Sequence, residues 1–200
     1  MKQINVAVLC SGGGTNLQAI IDAAGRGELP HAALSLVVGS REGIYALERA
    51  SLAGIPSAVV ARKAYDSREG FEDALLGLLR EHDIEVIVLA GFLTVLSADF
   101  VKAYRDRILN VHPSLIPSFC GDGFYGLRVH EAALEKGVKV TGATVHLVNE
   151  ITDGGRILLQ KAVEVKEGDT PEVLQRRVME EAEWQLLPQA VEQLCAELAE

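Results

Sequence analysis

The stretch that decides the fold is Ile4-Asn5-Val6-Ala7-Val8-Leu9-Cys10-Ser11-Gly12-Gly13-Gly14-Thr15-Asn16-Leu17-Gln18-Ala19-Ile20-Ile21. Residues 4–9 form a short apolar run, a strand candidate. Glycines follow at once. Beyond them Leu17, Ile20, Ile21 and Ala24 fall at the i, i+3, i+4, i+7 spacing of a helix with one buried face. A strand that passes through a glycine turn into a helix opens a parallel α/β sheet. In such sheets ligands bind beyond the carboxyl ends of the strands, where a helix N-terminus offers unpaired N–H groups and partial positive charge to an anion. Glycine lets the backbone approach closely, and Thr15 and Asn16 add side-chain donors. Gly14 stands where a P-loop carries its Lys, and Leu17 where the dinucleotide fingerprint requires a third glycine. The turn therefore suits one phosphate better than a triphosphate or a pyrophosphate; a tight turn without a ligand is the blander alternative.

Outward from this unit the alternation continues. Strands are expected at residues 34–38, 57–60, 85–90 and 108–111, and helices at 44–53, 97–104 and 128–136. Another helix opens on Asp66-Ser67-Arg68-Glu69, which has the look of a capping box, with Phe71, Ala74, Leu75, Leu78 and Leu79 as its apolar stripe. The Gly-, Pro- and Ser-rich stretch 113–127 reads as a loop. Residues 141–148 and 157–165, joined by Thr152-Asp153-Gly154-Gly155, read as a hairpin added at one edge of the sheet. The chain is helical from Pro171, with Pro188 kinking or interrupting it. Short connections and the absence of repeats or linkers predict one α/β domain over residues 1–200. Its sheet is mostly parallel with an antiparallel edge, and helices cover both faces.

The 200 residues, 48% apolar and 24% charged, suffice for one core that needs neither disulfide nor metal. Nineteen basic against 28 acidic residues leave a net charge of −9, which argues against a nucleic-acid partner. Any positive potential for an anionic ligand must then be local. No apolar run approaches the ~20 residues of a membrane span, and the N-terminus reads as a strand and not as a signal peptide. Three scattered cysteines, Cys10, Cys120 and Cys195, point to a reducing, cytoplasmic setting. No metal is expected, since His31, His82, His130 and His146 show no ligand spacing. His31 and His82 read as surface residues, and His146 as strand packing.

Asn110-Val111-His112-Pro113 falls where a strand ends. Residues two apart share a side of a strand, so Asn110 and His112 point the same way. An amide donor beside an imidazole that can donate a hydrogen bond or carry a proton suits a developing oxyanion. Asp153, in its glycine-flanked turn, could keep His112 protonated or move protons. Residue types alone leave a structural histidine and a turn aspartate equally open.

Several runs taken together carry a resemblance. They are Ser11-Gly12-Gly13-Gly14-Thr15-Asn16-Leu17-Gln18-Ala19-Ile20, Ala90-Gly91-Phe92, Asn110-Val111-His112-Pro113-Ser114-Leu115-Ile116-Pro117, Gly142-Ala143-Thr144-Val145-His146 and Asp153-Gly154-Gly155. With them the chain resembles the folate-dependent formyltransferases. Its glycine turn and length are those of the branch acting on glycinamide ribonucleotide, and the likeness extends as far as Glu183 and Pro188.

The resemblance implies a Rossmann-like formyltransferase fold. It also implies transfer of a formyl group from 10-formyltetrahydrofolate to the amine of 5-phosphoribosylglycinamide in de novo purine biosynthesis, by direct attack through a tetrahedral intermediate and without a metal. His112 would be the acid/base residue, Asn110 would hold the formyl oxygen, and Asp153 would raise the pKa of His112 and help relay protons. Gly14, Thr15 and Asn16 would take the phosphate. Glu180 and Glu183, in Glu180-Glu181-Ala182-Glu183, would face the ribonucleotide, with Glu183 at the ribose. The folate would lie against Arg68, Leu93, Thr94, Val95, Leu96, Asn110, Asn149, Glu150, Ile151, Thr152 and Asp153.

The resemblance further divides the chain into a phosphate-binding half, 1–100, and a folate-binding and catalytic half, 101–200. Without it, Leu93, Val95 and Leu96 read equally well as core, Arg68 as a solvated helix-start charge and Glu183 as plain surface. Thr94 stands where many members carry Arg, and Phe119-Cys120-Gly121-Asp122-Gly123-Phe124-Tyr125-Gly126 is longer than the family's short form. The expected partners are small-molecule substrates only, neither nucleic acid nor membrane, with the assembly left open and a homodimer among its forms. The rival readings are a formyltetrahydrofolate hydrolase and a non-catalytic phosphoribosyl-ligand sensor.

Overall fold

Seven strands account for the apolar runs in the computed structural model, which describes residues 2–200. They are β1 (Ile4–Cys10), β2 (Ala32–Gly39), β3 (Ser57–Val59), β4 (Val86–Leu89), β5 (Ile108–His112), β6 (Val140–Leu147) and β7 (Ile157–Glu164). They lie side by side in the order β3-β2-β1-β4-β5-β6-β7. The first five are parallel, and β6 and β7 continue the sheet antiparallel, so the mixed sheet expected from the sequence is what forms.

Side chains alternate between two cores, as the pleat requires. Val6 and Val8 join one cluster with α1 (Thr15–Gly25), α2 (Tyr45–Leu52), α6 (Pro171–Val178) and α7 (Trp184–Ala199). Ala7 and Leu9 join the other with α3 (Arg68–Glu81) and α4 (Ala98–Ala103). Phe71, Leu75 and Leu79 of α3 are fully covered there, each worth roughly 1.5–3 kcal/mol of burial. Ser67 caps α3 by accepting from the Gly70 N–H at 3.0 Å; with Gly70 at the third helical position the reciprocal half of a capping box does not form, so the signal is met only in its serine. On α1 the buried row is Leu17, Ile20 and Ala23, and not one ending at Ala24, because the helix lies against α7 as well as the sheet.

β1 pairs with β2 on one side and β4 on the other, so the chain order reverses there and a crevice opens beyond their carboxyl ends. Two hydrogen bonds stitch the loops at this point. Ser11 N–H donates to Gly91 O at 3.2 Å, and Leu93 N–H to Ser11 Oγ at 3.1 Å. No helix of the described residues is long and apolar enough to cross a membrane.

The C-terminal helix departs from expectation in where it breaks. Pro188 sits inside α7, and the irregularity lies upstream, in a π-turn at Met179–Glu183. Proline offers no N–H to the carbonyl four residues back and its ring crowds that carbonyl, which belongs to Trp184, the first residue after the wide turn. The turn holds an extra residue, and this sends Glu183 inward from an otherwise exposed acidic run.

Candidate active site

The register of β5 against β6 sets Asn110 opposite His146 and His112 opposite Thr144, so these four side chains share one patch of the sheet. The Thr144 hydroxyl donates to Ser114 O at 2.6 Å and accepts from Ile116 N–H at 3.1 Å, anchoring the chain that leaves β5. After β6 the connection to β7 folds back over the patch. Gly155 is obligatory in that fold, because a Cβ there would meet Leu147 O at 1.7 Å. Asn149 knits the loop by donating to Gly154 O at 3.2 Å and accepting from Ile151 N–H at 3.0 Å. Asp153 takes a left-handed conformation, φ 54°, which aspartate tolerates better than most residues.

That conformation aims the Asp153 carboxylate at two imidazoles. Oδ2 lies 3.5 Å from His112 Nδ1, and Oδ1 lies 3.5 Å from His146 Nε2. The Gly121 N–H also donates to Oδ2, at 2.8 Å. Burial works against ionisation of Asp153. The contact with His146, the Gly121 N–H and the charges of the two histidines outweigh it and hold the carboxyl below its ordinary range. A negative charge therefore stands beside His112, whose Nε2 donates to Phe119 O at 2.8 Å.

His146 belongs to this cluster, which corrects its reading as strand packing. Its Nδ1 donates to Leu147 O at 2.9 Å, and its Nε2 lies 3.1 Å from Asn110 Nδ2 and 3.5 Å from Asp153 Oδ1. The signal was present in the hairpin register, which puts His146 across from Asn110. Phe119 and Gly121 were not foreseeable from side-chain types, since both act through backbone groups of the long loop. His130, on α5 (Leu127–Lys136), is fully buried, and neither ring nitrogen has a partner among the described residues. Burial, helped by the charge of His112, pushes its pKa down to about 4, so this neighbouring imidazole stays neutral.

At the other end of the crevice Gly14 caps α1 with φ +70°, and a Cβ there would meet Ala46 Cβ at 2.8 Å. Glycine is thus required both by conformation and by packing against α2. Cβ positions at Gly12 and Gly13 meet nothing within 4 Å, so the outer side of the turn is open. The N–H groups of Thr15 and Asn16 lie in the first helical turn, where no intrahelical acceptor exists. Asn16 Nδ2 donates to Glu183 Oε2 at 2.8 Å, while Asn16 Oδ1 is buried without a partner. Glu183 is only 6% exposed, which overturns its plain-surface reading. Burial, opposed in part by the Asn16 hydrogen bond, raises its pKa to about 7. Glu180 turns outward and pairs with Arg176 at 2.7 Å.

The residues expected at the folate divide. Leu93, Val95 and Ile151 are 65%, 61% and 68% exposed, so the core alternative for Leu93 and Val95 does not hold. Leu96 packs with Phe92 against the second core, and Thr94 is half-buried. Arg68 is exposed at the start of α3. Glu150 approaches Arg105 at 3.7 Å, and the Thr152 hydroxyl donates to Asp122 Oδ1 at 3.1 Å.

Comparison with known proteins places the whole chain among relatives of one kind. The formyl transferase family profile covers residues 4–191. The chain is 46% identical over 191 residues to the trifunctional purine biosynthetic protein adenosine-3 of Gallus gallus; the match covers 96% of this chain but only 18% of that protein's length. It is 38% identical to the chloroplastic phosphoribosylglycinamide formyltransferase of Arabidopsis thaliana, covering 98% of this chain and 67% of that one. The crystal structure of phosphoribosylglycinamide formyltransferase from Brucella melitensis superposes with a TM-score of 0.88 at 41% identity, over 98% of this chain and 97% of that one.

Proposed function

The chain belongs to the formyl transferase family, and from that premise we propose that it moves a formyl group from 10-formyltetrahydrofolate to the amine of 5-phosphoribosylglycinamide, a step of purine biosynthesis. The observation that carries the proposal is the meeting of Asn110, His112 and Asp153 on one patch, with Asp153 3.5 Å from His112, at the same carboxyl end of the parallel strands as the open glycine turn. Gly14, Thr15 and Asn16 take the phosphate, and buried Glu183 faces the ribose. Glu180, turned to Arg176, shapes only the outer side of that region.

Exposed apolar side chains at Leu93, Val95 and Ile151 offer a surface against which the face of a flat ring such as the folate's can lie. Arg68, Thr94, Leu96 and the loop 149–152 complete that wall. The folate, when bound, supplies a formyl group on a nitrogen able to leave. The chain's own residues do the rest. His112 Nε2–H, now given to Phe119 O, turns to the formyl oxygen, and an N–H of Asn110 Nδ2 joins it. As the substrate amine bonds to the formyl carbon, the carbonyl electron pair moves onto oxygen, where these two donors face it. When that pair returns, the bond to the leaving nitrogen breaks, and the proton lost by the amine ends on that nitrogen. Asp153 stabilises the imidazolium form of His112 through this exchange.

A hydrolase would use water in place of the amine, and it has no need of a glycine cradle joined to a buried Asn16–Glu183 pair. A sensor has no need of an ionised Asp153 beside His112. Absorbance-monitored release of tetrahydrofolate separates the readings. Release only with 5-phosphoribosylglycinamide present is the expected result; release with water alone identifies a hydrolase, and none in either case a sensor. Free Cys10, Cys120 and Cys195 agree with a reducing, cytoplasmic setting.

A further inference from the structure

We infer that Arg49 is the positioning residue that sets the phosphate cradle, a conclusion that rests on the function proposed above. Arg49 projects from α2 toward the glycine turn and is fixed on three sides. Its Nε donates to Gly13 O at 2.8 Å, Nη1 donates to Gln18 Oε1 at 2.8 Å, and the guanidinium lies 4.7 Å from the centre of the Tyr45 ring. Gln18 is itself held, donating to Asp22 Oδ1 at 2.8 Å. No carboxylate among the described residues pairs with Arg49, so its charge stays at the turn in a chain whose net charge is −9.

The hydrogen bond to Gly13 O decides which way the turn faces. In a trans peptide the carbonyl and the following N–H point in opposite directions. Drawing Gly13 O toward α2 therefore turns Gly14 N–H away from α2. The neighbouring peptide obeys the same rule, because Gly12 O accepts from the Ala46 N–H at 3.3 Å and Gly13 N–H is turned outward. With the unpaired N–H groups of Thr15 and Asn16, a run of donors faces the open side, the arrangement that binds anions. Buried, unpartnered Asn16 Oδ1 at the same place is a second polar group awaiting a donor such as a ligand hydroxyl.

A peptide between two glycines can rotate at little steric cost. Without a clamp the Gly13–Gly14 unit could present its carbonyl to the phosphate in place of its N–H. Arg49 opposes that flip and leaves a positive charge beside the cradle. Lysine keeps the charge but cannot hold Gly13 O and Gln18 Oε1 together with one planar fork.

The test uses the full chain with Arg49→Met and Arg49→Lys. In Arg49→Met the KM for 5-phosphoribosylglycinamide should rise by about tenfold or more, with kcat and the KM for the folate within about twofold. Arg49→Lys should show a smaller rise in the same constant. Thermal melts give a readout apart from activity: inorganic phosphate, compared with chloride at equal ionic strength, should stabilise the wild type and fail to stabilise Arg49→Met. Unchanged ribonucleotide KM in Arg49→Met, retained phosphate stabilisation, or a Lys variant equal to the wild type would each overturn the inference. So would a parallel loss in kcat and both KM values, the mark of general damage. Should Arg49→Met not fold, Gln18→Met releases one arm of the fork and should raise the same KM by a smaller factor; no rise there overturns the proposal. A wild type that transfers no formyl group but loses phosphate stabilisation on Arg49→Met refutes the proposed reaction and leaves the cradle standing.

Discussion

Asp153 and Glu183 are both carboxylates drawn inward by irregular backbone, one by a left-handed loop residue and the other by a π-turn, yet their surroundings push them in opposite directions. Asp153 meets two imidazoles and a backbone N–H, which outweigh its burial and keep it ionised. Glu183 meets a single amide, which does not outweigh burial, and its pKa rises to about 7. Paired groups whose environments part their pKa values mark different chemical tasks. Fixed negative charge belongs where a proton moves and an imidazolium forms. A carboxyl near neutrality belongs where hydroxyl groups are to be recognised.

The strongest way to break this contrast is at the reacting end. His112→Ala should lower turnover by about 10²–10⁴-fold, the usual worth of a positioned acid/base group, with ribonucleotide affinity nearly intact. Asp153→Asn keeps the side chain's size and removes its charge, and its turnover should fall within the same range of about 10²–10⁴. Asp153 also contributes stability that is present above its ordinary pKa of 3.8 and lost as pH falls through its lower folded value. Acid unfolding of Asp153→Asn should lack that component. Steady-state rates and pH-resolved denaturation measure both, and wild-type turnover in either variant would remove its residue from the mechanism.

The two ends of the site were not equally legible in the sequence. The glycine turn announced itself, because phosphate recognition by backbone N–H groups needs glycines at a strand-to-helix junction, and those are visible as letters. Asn110 and His112 were legible as a pair because a strand's period puts them on one side. His146 was hidden by its place among alternating strand residues, and only the register across from Asn110 reveals it. Phe119 O and Gly121 N–H carry no residue signature at all. The inward turn of Glu183 depends on where a helix widens. Pro188 advertised a disturbance, but not that it would fall one turn upstream.

Glu183→Gln sharpens the other half of the contrast. A folded pKa of about 7 against an ordinary 4.5 means that the folded chain holds this proton more tightly. The stability it contributes is complete below pH 4.5 and declines as pH rises through 7. Glutamine can still accept from Asn16 and does not titrate. The variant should therefore gain on the wild type as pH rises, by up to about 3 kcal/mol above pH 7 for a shift of this size. His130 acts in the opposite sense. Its folded pKa of about 4 gives stability that is complete above 6.5 and lost as pH falls toward 4. Between these limits the two groups offset one another, so the wild-type profile should be flat where that of Glu183→Gln slopes upward with pH. Parallel slopes in chemical denaturation across pH 5 to 8 would show that Glu183 ionises normally.

The smallest effect is expected at His146, which touches both the amide and the carboxylate of the reacting patch. His146→Phe preserves ring volume in a fully packed strand but removes the ring nitrogen beside the Asn110 amide and one of the groups that hold Asp153 ionised. Asn110 then loses its fixed orientation while keeping its donors, so kcat should fall by about tenfold and not by the full worth of an acid/base group. The KM for the ribonucleotide should not move, since the Asn16–Glu183 end is untouched. Asp153 should titrate at higher pH than in the wild type, readable by carbon-detected NMR of its carboxyl. A variant with wild-type kcat and an unmoved Asp153 titration would return His146 to strand packing and leave Gly121 N–H and His112 as the groups that separate Asp153 from Glu183.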